Sequence, residues 1–96
     1  MKALLIIFAP AIECEVMGCL EKAQVKKYTR LPYLQGVGGH SEPRLDTQVW
    51  PGSNSALLVV SENASCDKLA NLLKPLKQQE LEEGLKVFAF PVEEII

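Results

Sequence analysis

The spacing of apolar and polar positions predicts a strand, a helix and a second strand in the first third of the chain. Residues 2–8 (KALLIIF) form a short apolar run that stops before Pro10, which predicts a buried strand. Over residues 11–23 the apolar positions recur at helical spacing, so an amphipathic helix with one buried face is expected. Residues 24–34 alternate in polarity and contain two tyrosines, a pattern typical of a strand.

The rest of the chain repeats the order of strand, helix and strand. Residues 55–61 (SALLVVS) are predicted to form the third strand. Ser65 can cap a following helix whose apolar face carries four leucines at helical spacing. Pro75 is expected to break or kink that helix because it removes one helical hydrogen bond. A polar turn over 78–84 then leads into the last strand, 85–91 (LKVFAFP).

This order of elements predicts a ferredoxin-like βαββαβ fold of the α+β class. In that arrangement a four-stranded antiparallel sheet carries both helices on one face. A chain of 96 residues has room for one core, so residues 1–96 are interpreted as a single domain. The first and last strands are apolar at nearly every position, whereas a sheet with one face in water alternates in polarity. We therefore expect the second face to be buried against other subunits.

Composition and charge narrow the classes of function. The net charge of -2 gives no electrostatic reason to expect a nucleic-acid partner. The longest apolar run, residues 3–12, is interrupted by Pro10 and is shorter than the roughly 20 residues that span a bilayer, so no membrane insertion is expected. Three irregularly spaced cysteines, Cys14, Cys19 and Cys66, indicate reduced thiols and a cytoplasmic protein.

A long connecting loop, residues 35–54, joins the two halves of the chain. It holds four of the six glycines and shows no apolar period, which is typical of a functional or mobile segment. Gly36, Gly38 and Gly39 follow a strand and could present backbone N–H groups to a phosphate, or they could form a plain hinge. Trp50 suggests either docking onto a neighbouring surface or anchoring of the loop base.

Candidate chemistry outside the glycines is sparse. His40 is the only histidine, and the chain has no CxxC or HxxxH spacing, so His40 is only a weak metal candidate. No serine, threonine or cysteine is placed by sequence to pair with it, and we predict no catalytic residue. Lys26, Lys27 and Arg30, together with Lys86, could form a cationic binding surface or a solvated strand face.

Several of these motifs together resemble the nitrogen regulatory P-II proteins. Residues 86–94 (KVFAFPVEE) resemble the final strand of that family, where a lysine precedes a strand that ends in Phe-Pro-Val-Glu-Glu. The Tyr-Thr pair ending at Thr29, the loop glycines Gly36 and Gly38, and residues 59–61 before the second helix fit the same family. The likeness spans nearly the whole chain.

The resemblance implies a homotrimer that senses a small-molecule effector, an adenine nucleotide or a similar compound, in clefts between subunits. Such a protein is not an enzyme, and it would regulate a partner, a membrane transporter or an enzyme, through its long loop. Carried over residue by residue, the resemblance implies that Thr29, Gly36, Gly38 and Lys86 line the effector cleft, with Gly39 beside them.

The sequence also departs from the family pattern. The loop is shorter and contains no tyrosine, so uridylylation of a loop tyrosine is excluded. Residues 83–86 (EGLK) replace the family's Gly-Asp-Gly-Lys turn, and no arginine that could contact ATP follows before Ile96. We therefore expect a lower ATP affinity than in the family. The alternative hypothesis is a CutA-like metal-binding or metal-tolerance protein with His40 as a ligand, and a weaker one is a small hydrolase using His40 and a cysteine.

Overall fold

The computed structural model describes residues 1–34, 54–79 and 84–96. These residues form the predicted succession of strands and helices. The elements are β1 (Lys2–Phe8), a 3₁₀ turn (Pro10–Ile12), α1 (Glu13–Lys22), β2 (Thr29–Leu34), β3 (Asn54–Ser61), α2 (Asn63–Gln79) and β4 (Leu85–Pro91). Of the predicted loop, residues 35–53 lie outside the described residues, as do 80–83 of the predicted polar turn.

The four strands form one sheet in the order β2-β3-β1-β4, and every neighbouring pair is antiparallel. β1 lies in the centre, where Lys2 pairs with Ser61 on one side and with Pro91 on the other. In the described part of the chain β2 and β4 form the two edges. The predicted ferredoxin-like fold is thus confirmed.

Both helices cover the same face of the sheet. Alternate residues of β1, namely Leu4, Ile6 and Phe8, point to this face and are at most 1% exposed. They pack with one apolar stripe from each helix and with side chains of β3 and β4: Val16, Cys19, Leu20, Cys66, Leu69, Leu73, Leu57, Val59 and Leu85. Burial of one such side chain stabilises the fold by about 1.5–3 kcal/mol.

The connection from α1 to β2 differs from the prediction of a strand over 24–34. The chain leaves α1 through Gln24, whose φ of 60° is left-handed. The N–H of Val25 then bonds the carbonyl of Leu20 at 2.9 Å, as in a helix-terminating Schellman motif. Val25 packs against the core instead of entering the sheet, so β2 begins only at Thr29.

The second helix corrects two predictions. It begins one turn earlier than expected, since the N–H of Cys66 bonds the carbonyl of Glu62, and Ser65 therefore lies inside the first turn and is not the cap. Burial of Cys66 extends the apolar stripe by that turn. Pro75 does not end the helix, which continues to Gln79. The lost bond concerns the carbonyl of Asn71, an exposed residue that water can reach.

Within residues 1–34, 54–79 and 84–96, no helix is long and apolar enough to cross a membrane.

Candidate functional site

The face of the sheet opposite the helices, called the open face below, is also apolar. The pairing register places its residues in cross-strand rows, with Leu58, Leu5 and Phe88 in one row and Val60, Ala3 and Phe90 in the next. Three of these side chains are exposed: Phe88 is 51%, Phe90 43% and Val60 41% accessible. A contiguous apolar surface of this kind marks an interaction site. Burial of the open face against other subunits, which the sequence predicts, stays a prediction.

The structure places Thr29 and Lys86 on the open face, but at opposite edges of the sheet. Thr29 pairs with Leu58 and lies on edge strand β2, whereas Lys86 pairs with Ile7 and lies on edge strand β4. Both residues are exposed. Three strand spacings separate the two edges, which is about 14 Å. One chain therefore does not bring the two predicted effector-binding residues together.

The remaining predicted site residues, Gly36, Gly38, Gly39 and His40, lie outside the described residues. What the structure does describe is the base of their loop. Leu34 at the end of β2 pairs with Asn54 at the start of β3. The neighbouring rows lead from Ser55 through Phe8 to Leu85, so the loop leaves the sheet at the end where β4 begins.

The four cations considered as a binding surface do not form a single patch within one chain. The Arg30 guanidinium donates to the Glu13 carboxylate and is thereby tied to the start of α1. Lys26 and Lys27 are exposed in the segment before β2. Lys86 lies at the opposite edge of the sheet, on β4.

All three cysteines are free thiols. Cys14 is exposed, whereas Cys19 and Cys66 are buried. The Cys19 thiol donates to the carbonyl of Leu72 at 3.3 Å, and the Cys66 thiol donates to the carbonyl of Lys2 at 3.4 Å. Burial raises the pKa of both thiols. They are therefore protonated at neutral pH and are poor nucleophiles and metal ligands.

A metal centre finds no support in the part of the chain that the structure describes. Within it, no three side chains of His, Cys, Asp or Glu come together as a cluster that could hold a metal ion. The weak candidate His40 lies outside that part.

A second concave surface, not foreseen from the sequence, lies on the helix side of the sheet between α2 and β4. This α2/β4 groove has a volume of about 530 Å³, and its lining includes Ala70, Leu73, Lys74, Lys77, Val87 and Ala89 as well as Lys86 and Phe88. The Lys77 ammonium donates to the carbonyl of Leu85 at 2.7 Å. The spacing of Ala70, Lys74 and Lys77 puts them on one helix face, but the sequence does not show which strand they face.

The sequence matches the model of one family, described as nitrogen regulatory protein P-II, over residues 1–96. The match covers every element of the sheet and both helices. No curated protein matches the chain.

Solved structures share the fold. CPII, a nitrogen regulatory PII-like protein from Thiomonas intermedia K12 bound to ADP, AMP and bicarbonate, superposes with a TM-score of 0.76 at 21% identity, over 93% of this chain and 82% of that chain. The apo form of CPII gives 0.61 at 19% identity, over 95% and 89%. A putative PII-like signaling protein from Thermus thermophilus gives 0.64 at 15% identity, over 93% and 83%. At these identities the likeness establishes the fold.

Proposed function

The chain belongs to the nitrogen regulatory protein P-II family, and on this premise we propose that it is a non-catalytic regulatory protein that binds an adenine nucleotide between the subunits of a homotrimer. The position of Thr29 and Lys86 on one face but at opposite edges of the sheet is the observation that carries the proposal. CPII, which shares the fold, was solved with ADP and AMP bound.

Two copies of the chain can bring together the two residues that one copy holds at opposite edges of its sheet. If the β2 edge of one subunit lies beside the β4 edge of the next, Thr29 of the first approaches Lys86 of the second. The Lys86 ammonium would then bind phosphate oxygens through charge-assisted hydrogen bonds. The Thr29 hydroxyl would supply a neutral donor and acceptor for the nucleotide.

The open face supports assembly into a closed ring. A contact between two different edges is heterologous, and it closes into a ring when the rotation between subunits is suitable. In a trimer the three open faces would meet inside, where Phe88 and Phe90 would lose their contact with water. Burial of this apolar area is the driving force that we propose for the assembly.

The long loop completes the proposal. Its base lies at the end of the sheet where β4 begins, the end that also carries Lys86. Gly36, Gly38 and Gly39 would add backbone N–H donors to the phosphates, and nucleotide binding would set the loop conformation presented to a cytoplasmic partner, a transporter or an enzyme.

The test combines nucleotide titration with a measurement of mass. We expect ADP and AMP to bind to a species of three times 10.6 kDa, as measured by calorimetry and light scattering. Lys86→Ala should weaken ADP binding by about tenfold or more, since it removes a charge-assisted contact worth about 1.5–3 kcal/mol. The matched control Lys74→Ala changes a lysine on the other side of the sheet and should leave ADP affinity unchanged.

Two results would contradict the proposal. One is a monomer that binds ADP with unchanged affinity after Lys86→Ala. The other is release of phosphate from ATP by the purified protein at a rate that scales with its concentration, because it would show catalysis.

A further inference from the structure

We propose that the α2/β4 groove is a second ligand site, which binds an organic anion with an apolar body. The anionic group, a carboxylate or a phosphate ester, would lie between Lys74 and Lys77. The apolar body would lie along Val87 and Ala89. This site does not depend on the proposed nucleotide function.

The groove follows from two periodicities. On α2, Ala70, Leu73, Lys74 and Lys77 are spaced by three or four residues and therefore share one face of the helix, which lines the groove. On β4, alternate residues point to the helix side, and the small side chain of Ala89 leaves the floor open near the end of the strand.

The size and lining of the groove fit a small-molecule site. Its volume of about 530 Å³ falls within the range of about 300–1,000 Å³ that is usual for ligand pockets. The floor is apolar, since Leu73 and Leu85 are buried side chains of the core. Such pockets combine an apolar lining with a few polar groups that fix the orientation of the ligand.

The charge of the groove selects the ligand class. Lys74 and Lys77 lie one helical turn apart on the same rim, and both are exposed. The hydrogen bond to the carbonyl of Leu85 uses one N–H of Lys77 and leaves two for a ligand. No carboxylate is among the described residues that line the groove. An anionic group would therefore find Lys74 and Lys77 on the helix, Lys86 on the strand, and no like charge among the described lining residues.

Lys86, the cation of the proposed nucleotide site, also belongs to the lining of the groove. It pairs with Ile7 on the open face, whereas its neighbours Leu85 and Val87 point to the helix side. Ala70, Lys74 and Lys77 belong to α2 alone, so variants at these three positions distinguish the groove from the nucleotide site.

Decanoate is the probe for the test, and decanol is the neutral control of the same chain length. We expect calorimetry, below the concentration at which decanoate forms micelles, to show one decanoate per chain bound at least tenfold more tightly than decanol. Lys77→Gln keeps a donor for the carbonyl of Leu85 but removes the charge. It should weaken decanoate binding about tenfold, or about 1.4 kcal/mol. Lys68→Gln on the same helix is the matched control and should have no effect, since Lys68 does not line the groove.

A steric variant tests the location of the site. Ala70→Leu adds volume inside the groove with a residue that favours helix, so it should abolish decanoate binding while ADP binding and the melting temperature stay unchanged.

Three results would overturn the inference: no saturable binding of decanoate, equal affinities for decanoate and decanol, or undiminished decanoate binding in Ala70→Leu. The last two would indicate adsorption to an apolar surface such as the open face. ADP binding measured on the same samples decides the proposed function separately.

Discussion

Phe8 and Phe88 lie on neighbouring strands of one sheet, yet Phe8 is fully buried and Phe88 is 51% exposed. The difference lies in what covers each face. Phe8 lies in the buried core cluster together with helix residues such as Val16 and Leu69, whereas the described residues leave about half of Phe88 uncovered. The comparison teaches that this chain carries apolar side chains for two cores but helices for only one. In the proposed trimer, neighbouring copies of the chain would cover the second face.

The largest effect on stability should come from shortening a side chain on the covered face, the face of the sheet that carries the two helices. Phe8→Ala removes a fully buried ring and should lower the free energy of unfolding by about 3–5 kcal/mol. Because the ring packs within its own chain, the loss should be the same at every protein concentration. Denaturant unfolding followed by circular dichroism measures it.

Phe90→Ala is the matched control for that experiment. Its cost should shrink on dilution, as subunits separate, to the small value expected of a surface substitution, less than about 1 kcal/mol. A concentration-independent cost equal to that of Phe8→Ala would mean that one chain covers both faces.

The next effect concerns assembly. Phe88→Asp places a charge in the middle of the open face and should give a folded monomer of 10.6 kDa in place of a trimer, because burial of an unpaired carboxylate costs more than the contact returns. Light scattering measures the mass, and circular dichroism verifies the fold. An unchanged mass would show that the open face is not the subunit interface.

A smaller effect belongs to the covered face alone, where burial raises the pKa of Cys19 and Cys66. The unfolded thiols lose their protons from about pH 8.5. The folded thiols hold their protons to higher pH, so their contribution to stability is complete below that pH and falls as the pH rises. The double variant Cys19→Ser, Cys66→Ser should flatten the decline of the melting temperature between about pH 8 and 9.5. An equally steep decline in the variant would exclude the two thiols as its cause.

The smallest effect concerns the turn that leads from the covering helix α1 toward the sheet. Gln24 has a left-handed backbone, which costs an L-residue about 1–2 kcal/mol and a glycine very little. The greater freedom of glycine in the unfolded chain offsets about 0.5–1 kcal/mol of this. Gln24→Gly should therefore raise the free energy of unfolding by roughly 0.5–1 kcal/mol, whereas Gln24→Ala, which retains the strain, should not. Denaturant unfolding of the two variants side by side measures the difference.

Local patterns predicted those parts of the fold that depend on one element at a time. The bounds of β1 and β4 agree with the prediction because each is a short apolar run ended by proline or by a polar turn. β2 was predicted too long, since the alternation around Val25 is the same whether that side chain enters a sheet or packs under a helix. The effect of Pro75 depended on whether water reaches the freed carbonyl, which only the packing of α2 determines.

The candidate site was predictable to a lesser degree. Motif resemblance selected Thr29 and Lys86, and the sheet register now shows that both lie on the open face. The distance between them follows from the strand order, which no local pattern contains. The α2/β4 groove depends on how one helix lies over one strand, and no local pattern around Lys74 or Lys77 contains that information.

The central place of β1 has a consequence for the way the chain folds. Leu4 lies opposite Val59 on one side and Ala89 on the other, so both pairings close long stretches of chain. Contacts of such high sequence separation slow folding, because the entropy of closure is lost before the contact forms. During synthesis β1 emerges before both of its partners, so it has no neighbour until residues 54–61 have been made and lacks its second neighbour until residues 85–91 follow. The central strand of the finished sheet is thus the strand that is exposed to aggregation for the longest time during synthesis.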